Sequence, residues 1–218
     1  MVDQLPDEDP FGLPDSGPGE KRRKPKPATA SRLEKAALAH IDRYATSAAN
    51  LRNVLMRRVA RSVRLHDTDR AEAGEWVEAI IAKLLERRLL DDGAYAQVRA
   101  RSLHRSGASR RKIAGMLQQK GVGRDDIAAA QTALDAEYSN SELVAAYNYA
   151  RRRRFGPYRL PEAREERRAR DMAALARAGF GYDTSRRVVD AASVEDLEAK
   201  PDDSIVAAVP DVPLPDGG

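Results

Sequence analysis

Three stretches decide how this chain folds: Ser47–Val59 (SAANLRNVLMRRV), Ser109–Val122 (SRRKIAGMLQQKGV) and Asp171–Phe180 (DMAALARAGF). Each carries apolar residues at three- and four-residue steps, the period of a helix with one buried face. Leu55, Leu117 and Leu175 fall at equivalent places, separated by 62 and 58 residues. Arg43–Ser47 (RYATS) parallels Arg105–Ser109 (RSGAS) at that same offset of 62. A near-constant period is the mark of tandem units, each of which buries its core by stacking on its neighbours.

Working outward, each unit reads as three helices. In the first, Ala36–Tyr44 forms a helix with Leu38, Ile41 and Ala45 on one face. Thr46 or Ser47 caps the next helix, because a short hydroxyl side chain satisfies free backbone amides there. A polar connection over Arg61–Glu72 leads to a third helix of about Glu72–Leu89, with Trp76, Ile80, Ile81, Leu84 and Leu85 as its apolar stripe. The second unit opens at Asp91-Asp92, which suits a helix start by capping and by charge. Tyr95, Val98 and Leu103 are expected to face inward. Ser109 caps the next helix, Gly121 ends it in a left-handed turn, and Ile127, Ala130 and Leu134 follow. The third unit starts at Ser141-Glu142 with Leu143, Val144 and Tyr147. It is interrupted at Gly156-Pro157 and Pro161, and resumes in a charged helix over Glu162–Ala178.

Proline divides the chain. Ten of the twelve prolines lie in residues 1–30 and 191–218, and none stands between Pro27 and Pro157. Proline breaks helices, and the intervening tract is rich in strong helix formers, Ala, Leu, Arg and Glu. The expected fold is therefore all-α: an elongated array of three tandem three-helix repeats (31–90, 91–140 and 141–190). It is flanked by a disordered Pro-rich, basic N-terminal tail (1–30) and a disordered acidic C-terminal tail (191–218).

Charge is uneven too. Residues 31–190 hold 32 Lys+Arg against 21 Asp+Glu, whereas the segment from Ala191 holds seven acids and one lysine. A basic body points to a polyanionic or acidic partner. The clusters are Arg57, Arg58, Arg61 and Arg64 in the first unit. Arg99, Arg101, Arg105, Arg110, Arg111 and Lys112 form the second group. Arg151, Arg152, Arg153, Arg154, Arg164, Arg167, Arg168 and Arg170 form the third. Guanidinium forks suit phosphate and carboxylate, so recurrence in each unit would make a basic stripe if the repeats stack in register. A solvated helical face is the competing reading for any one arginine. It is weakest for Arg151–Arg154, where four adjacent like charges cannot all pair locally.

Other chemistry is sparse. The chain has no cysteine, hence no disulfide and no thiolate nucleophile. His40, His66 and His104 lack metal-ligand spacing and are expected at the surface or its boundary. Asp91 and Asp92 read as caps rather than a metal pair, Trp76 as core, Tyr147 as part of a buried stripe, and Tyr149 as a weak candidate for base stacking. No Gly-rich phosphate loop or Ser/His/Asp arrangement stands out. No catalysis, no metal and no cofactor are expected. With no membrane-length apolar run and no secretory leader, a monomeric cytoplasmic protein is expected.

Three segments carry a family resemblance. Leu89–Ala96 (LLDDGAYA) resembles the LDD-x-x-[FY]-A signature of the RecX family of RecA recombinase regulators. Leu117–Val122 (LQQKGV) resembles that family's L-x-x-K-G-[IV] step, and Leu175–Asp183 (LARAGFGYD) its closing L-x-R-x-G-F-x-Y-[DE] segment. They stand in the family's order and cover about residues 36–190. In the first unit, where the family usually has a Lys-Gly-Phe-like turn, this chain has Arg58-Val59-Ala60-Arg61. The third unit carries Arg151–Arg154 before its second helix. The resemblance implies three three-helix repeats bound along the groove of the RecA–DNA filament, with RecA as first partner and DNA phosphates as second. There it would temper filament growth, ATP hydrolysis and strand exchange, and so DNA repair and the SOS response. An autonomous DNA-binding helical protein and a generic helical adaptor are the alternatives.

Overall fold

The computed structural model describes residues 26–198, and among these every regular element is helical. The first unit comprises α1 (Ala30–Arg43), α2 (Ala48–Leu65) and α3 (Arg70–Glu86). The second comprises α4 (Asp92–Arg105), α5 (Arg110–Gln119) and α6 (Arg124–Glu137). The third comprises α7 (Ser141–Arg153), two single 3-10 turns (Gly156–Tyr158 and Pro161–Ala163), α8 (Arg164–Arg177) and α9 (Tyr182–Val189). A short α10 (Val194–Glu198) follows. The expected tails over 1–25 and 199–218 lie outside the described residues.

Three separate apolar cores match this order. Leu51, Leu55, Val59, Val77 and Ile81 centre the first; Ile113, Leu117 and Leu134 the second; Leu143, Leu175, Phe180 and Val188 the third. The three equivalent leucines, Leu55, Leu117 and Leu175, have no exposed surface at all. Fully burying one such side chain stabilises by about 1.5–3 kcal/mol. Much of the remaining core is alanine, so each unit is thin and the joints between units matter.

Those joints repeat one device. Ser47 caps α2, accepting from the Asn50 amide at 3.2 Å, while its hydroxyl donates to the Lys120 carbonyl at the end of α5. Ser109 caps α5, accepting from Lys112 at 3.3 Å, and donates to the Ala178 carbonyl at the end of α8, at 2.7 Å. A carboxylate seconds each serine. Asp92 accepts from the Ala48 amide at 2.8 Å, and Glu142 from the Arg110 amide at 2.9 Å. The C-terminus of α8 thus abuts the N-terminus of α5, whose C-terminus abuts the N-terminus of α2. Opposite ends of helix dipoles meet at both contacts.

Both abutting ends close on a left-handed glycine, Gly121 (φ 74°) and Gly179 (φ 96°). A Cβ on Gly121 would lie 2.2 Å from the Ala49 Cβ, and one on Gly179 would lie 2.6 Å from the Ser109 Oγ. Glycine is needed there twice over, for its backbone and for the closeness of the neighbouring unit.

Several expectations are corrected. Residues 26–30 and 191–198 belong to the folded body: the Ala28 amide donates to Ser62 Oγ at 2.7 Å, and Leu197 is buried in the third core. Helix α1 turns Leu33 and Ala37 inward and leaves Leu38 42% exposed. On α4, Ala96, Ala100 and Leu103 face the core, and Val98 is 60% exposed. Small alanines, which carry little weight in an apolar count, decide both faces. The expected connection over Arg61–Glu72 shrinks, because α2 continues to Leu65 and α3 starts at Arg70. Trp76 is half-buried against the first core.

His104 is a further correction, since it is buried. The Ser141 carbonyl 2.6 Å from Nε2 can only accept, so Nε2 carries the hydrogen and Nδ1 is bare, with no hydrogen-bond partner among the described residues. Burial holds this imidazole below its ordinary range, against the opposing pull of the Ser141 bond and the Glu137 and Asp135 charges.

Two outcomes follow. Gly121→Ala is expected to destabilise the fold by more than about 1 kcal/mol, through left-handed strain and collision with Ala49; urea unfolding measures it. Because the folded protein resists protonating His104 and the unfolded chain does not, stability falls as pH drops below about 6.5. His104→Gln should flatten that part of the Tm-versus-pH curve.

Candidate polyanion-binding surface

The middle helices α8, α5 and α2 carry nine of the fifteen candidate cations, whereas Arg101 and Arg105 lie on α4 and Arg151, Arg152, Arg153 and Arg154 at the end of α7. Helices α2 and α5 together carry Arg52, Arg57, Arg58, Arg61, Arg64, Arg110, Arg111 and Lys112 and no acidic residue. Their sequences fold this way because arginine is a good helix former whose stem can lie along an apolar stripe while the head stays in water.

The candidate arginines divide by what they hold. Arg101 reaches Glu137 at 2.9 Å, and Arg110 pairs with Asp135. Arg168 grips Asp190 through two bonds of 2.7 Å, which together with burial's opposing push leaves the Asp190 carboxyl below its usual range. Arg167 lies 3.3 Å from Glu166. Arg164 donates to the carbonyls of Pro157 at 2.9 Å, Ala192 at 2.8 Å and Arg159 at 3.3 Å, tying the interrupted segment of the third unit to its end. These five act within the protein. The side chains of Arg57, Arg58, Arg61, Arg105, Arg111, Lys112, Arg151, Arg152 and Arg154 make no hydrogen bond or ion pair with the other described residues.

The structure brings some of these together and separates others. Arg153 lies over the Tyr149 ring at 5.9 Å, and Tyr149 meets Phe180 at 5.9 Å and Phe155 at 6.0 Å. Gly179 is next to Phe180, and a Cβ there would be 3.5 Å from Arg111 Cβ. Arg153 thus joins an aromatic cluster of the third unit, and Arg111 of the second unit lies against the glycine next to it. Tyr149 is packed and half-buried rather than splayed for stacking on a base. Arg105 sits elsewhere, beside Tyr138 with Arg101. On α2, Arg57, Arg61 and Arg64 line a cleft with Arg70 of α3, of about 420 Å³. Arg58 and Arg57 face His40, which burial first and then these two charges hold below its ordinary range.

Two arginines sit in left-handed backbone, Arg88 (φ 54°) and Arg154 (φ 56°). Spacing in the sequence gave no sign of this, since the chain usually places glycine at such turns. Asp92 is a second residue whose part was hidden: Asp91 caps α4 by accepting from Ala94 at 2.8 Å, whereas Asp92 joins two units. Among the described residues no cluster of three metal-ligating side chains occurs, and no helix is long and apolar enough to cross a membrane.

Comparison with known proteins fixes the family. The model of the RecX second three-helix domain matches residues 91–130, which span α4, α5 and the first half of α6. The regulatory protein RecX of Myxococcus xanthus (strain DK1622) is 45% identical over 179 residues, covering 80% of this chain and 95% of that protein. The chain belongs to the RecX family. Two more RecX proteins are similar along most of their length: that of Agrobacterium fabrum (strain C58) at 35% over 162 residues, 74% of this chain and 83% of that one, and that of Thermobifida fusca (strain YX) at 31% over 162 residues, 73% and 83%. All three bear the name regulatory protein. No solved structure matches the chain.

Arginine in a left-handed turn costs backbone energy that glycine would not, and Arg154 closes α7 in such a turn of this RecX protein. Arg154→Gly should raise stability by up to about 1 kcal/mol, read as Tm, while lowering retention on heparin.

Proposed function

We propose that this chain regulates the RecA recombinase by binding along the RecA–DNA filament, protein first and DNA phosphates second, and chiefly inhibits it. The observation that carries the reading is the end-to-end row of α8, α5 and α2, with unpaired arginines along it. Helices of 14, 10 and 18 residues have a contour of about 60 Å at 1.5 Å per residue. A polymer whose subunits repeat along a groove is a fitting partner for such a row. RecX family membership supplies RecA as that polymer. On this reading the chain acts as a cytoplasmic monomer, without catalysis or cofactor, and tempers filament assembly, strand exchange, DNA repair and the SOS response.

The paired arginines support protein as the first partner. Five of the fifteen candidate cations are held by groups of the chain itself, so fewer remain for a purely electrostatic grip on DNA. A titration of RecA's ATPase on single-stranded DNA tests the proposal. Inhibition is expected at amounts well below one per RecA, since blocking growth of one filament withholds many subunits. An unaltered ATPase at equimolar protein would sink it.

A further inference from the structure

The first repeat has something the second lacks. Ser47 and Ser109 cap α2 and α5 at equivalent positions, yet α2 runs for 18 residues and α5 for 10. Where α5 stops at its left-handed Gly121, α2 has Val59, fully buried, and continues to Leu65. The added turns are anchored: Ser62 is buried, accepts from the Ala28 amide at 2.7 Å and lies 2.7 Å from the Thr68 hydroxyl. They carry Arg61 and Arg64, and together with Arg57 and with Arg70 at the start of α3 they form the 420 Å³ cleft, lined also by Ala60 and Val63.

We infer that this cleft binds the sugar–phosphate backbone of a single nucleic-acid strand. Four of its six lining residues are arginines, and none of the four pairs with a carboxylate among the described residues. Asp69, the nearest acid in sequence to Arg70, is committed to the Ala71 and Glu72 amides at 2.7 and 3.0 Å. By contrast Arg52, on the same helix, has its own carboxylate, Glu78, at 2.6 Å. Arg57, Arg61 and Arg64 stand at i, i+4 and i+7, on one helix face. Their rises are about 6 and 4.5 Å, close to the step between successive phosphates of an extended strand. Four like charges so placed repel one another until an anion with the same spacing arrives. The apolar floor of Ala60 and Val63 gives a sugar or base edge a surface to rest on. The cleft's size is that of a small-ligand pocket, which admits a nucleotide or two and not a duplex.

The site would supply phosphate contacts that the proposed filament binding uses, and it rests on that reading; the two are tested apart. Binding of a fluorescein-labelled oligothymidylate to the full chain, without RecA, is followed by anisotropy over a range of salt. For the Arg57→Ala/Arg61→Ala/Arg64→Ala variant we expect at least a tenfold weaker Kd and a log Kd–log salt slope lower by about 2, at about 0.7 per lost single-strand phosphate contact. The three side chains are exposed, so the helical circular dichroism should not change. The triple lysine variant, which keeps charge and helix, should restore most of the slope. An unchanged slope and Kd in the alanine variant overturns the cleft. So does competition in which a polyglutamate of matched charge displaces the strand as well as unlabelled oligothymidylate does, since the pocket would then serve an acidic protein segment. A chain that binds the strand through the cleft but leaves RecA's ATPase untouched keeps this inference and loses the filament reading. A chain that inhibits ATPase yet binds the strand equally after substitution does the reverse.

Discussion

A single serine hydroxyl does two jobs at each joint of this molecule. It accepts from an amide of the helix it caps and donates to the last carbonyls of the helix in the next repeat. Helix ends leave amides at one terminus and carbonyls at the other without partners. Here the deficits of two helices meet across one oxygen, seconded by a carboxylate. Units with alanine-rich cores gain little from their own burial, so these joints hold the array in order. The glycines at the same places are the steric counterpart: a methyl group would wedge the units apart.

That joint also organises charge. Because it sets middle helices end to end, the cations of α2 and α5 fall along a common row with no acid among them. Some arginines are matched by acids on other helices, Arg52 and Arg110 of the row by Glu78 and Asp135, and Arg101 and Arg168 by Glu137 and Asp190. Exposed pairs of this kind contribute little stability, at most about 1 kcal/mol, but they take their arginines out of play for a partner. What distinguishes the candidate surface is less the number of positive charges than which of them the protein leaves unmatched.

Much of the fold was legible in the sequence. The period of the leucines, the caps at Ser47, Ser109 and Asp91, and the closing Gly121 and Gly179 are local signals, and local rules read them. The inward faces of α1 and α4 were misread because alanine does the packing there and larger residues, Leu38 and Val98, point to water. The reach of α2 beyond Val59 was missed for a related reason: Arg61, Ser62 and Arg64 look like a polar loop, and only Ala28 and Thr68, distant or across a turn, make a helix of them. The pairing of the candidate arginines was less legible. Arginine clusters can be counted, but Asp135, Glu137 and Asp190 are 22 to 36 residues from the arginines they hold, and no spacing rule links them. His104 was hidden by the same kind of distance, its partner Ser141 lying 37 residues away.

The far end of the row behaves differently from its joints. There the segment before α8 is folded into two short turns, Arg164 binds three carbonyls around it, and Leu197 of α10 is buried in the third core. A modular stack with identical ends would offer a fourth module, or another molecule, the same socket. Because residues of the same chain occupy that place, the third unit is unlike the other two and the row's two ends are not interchangeable.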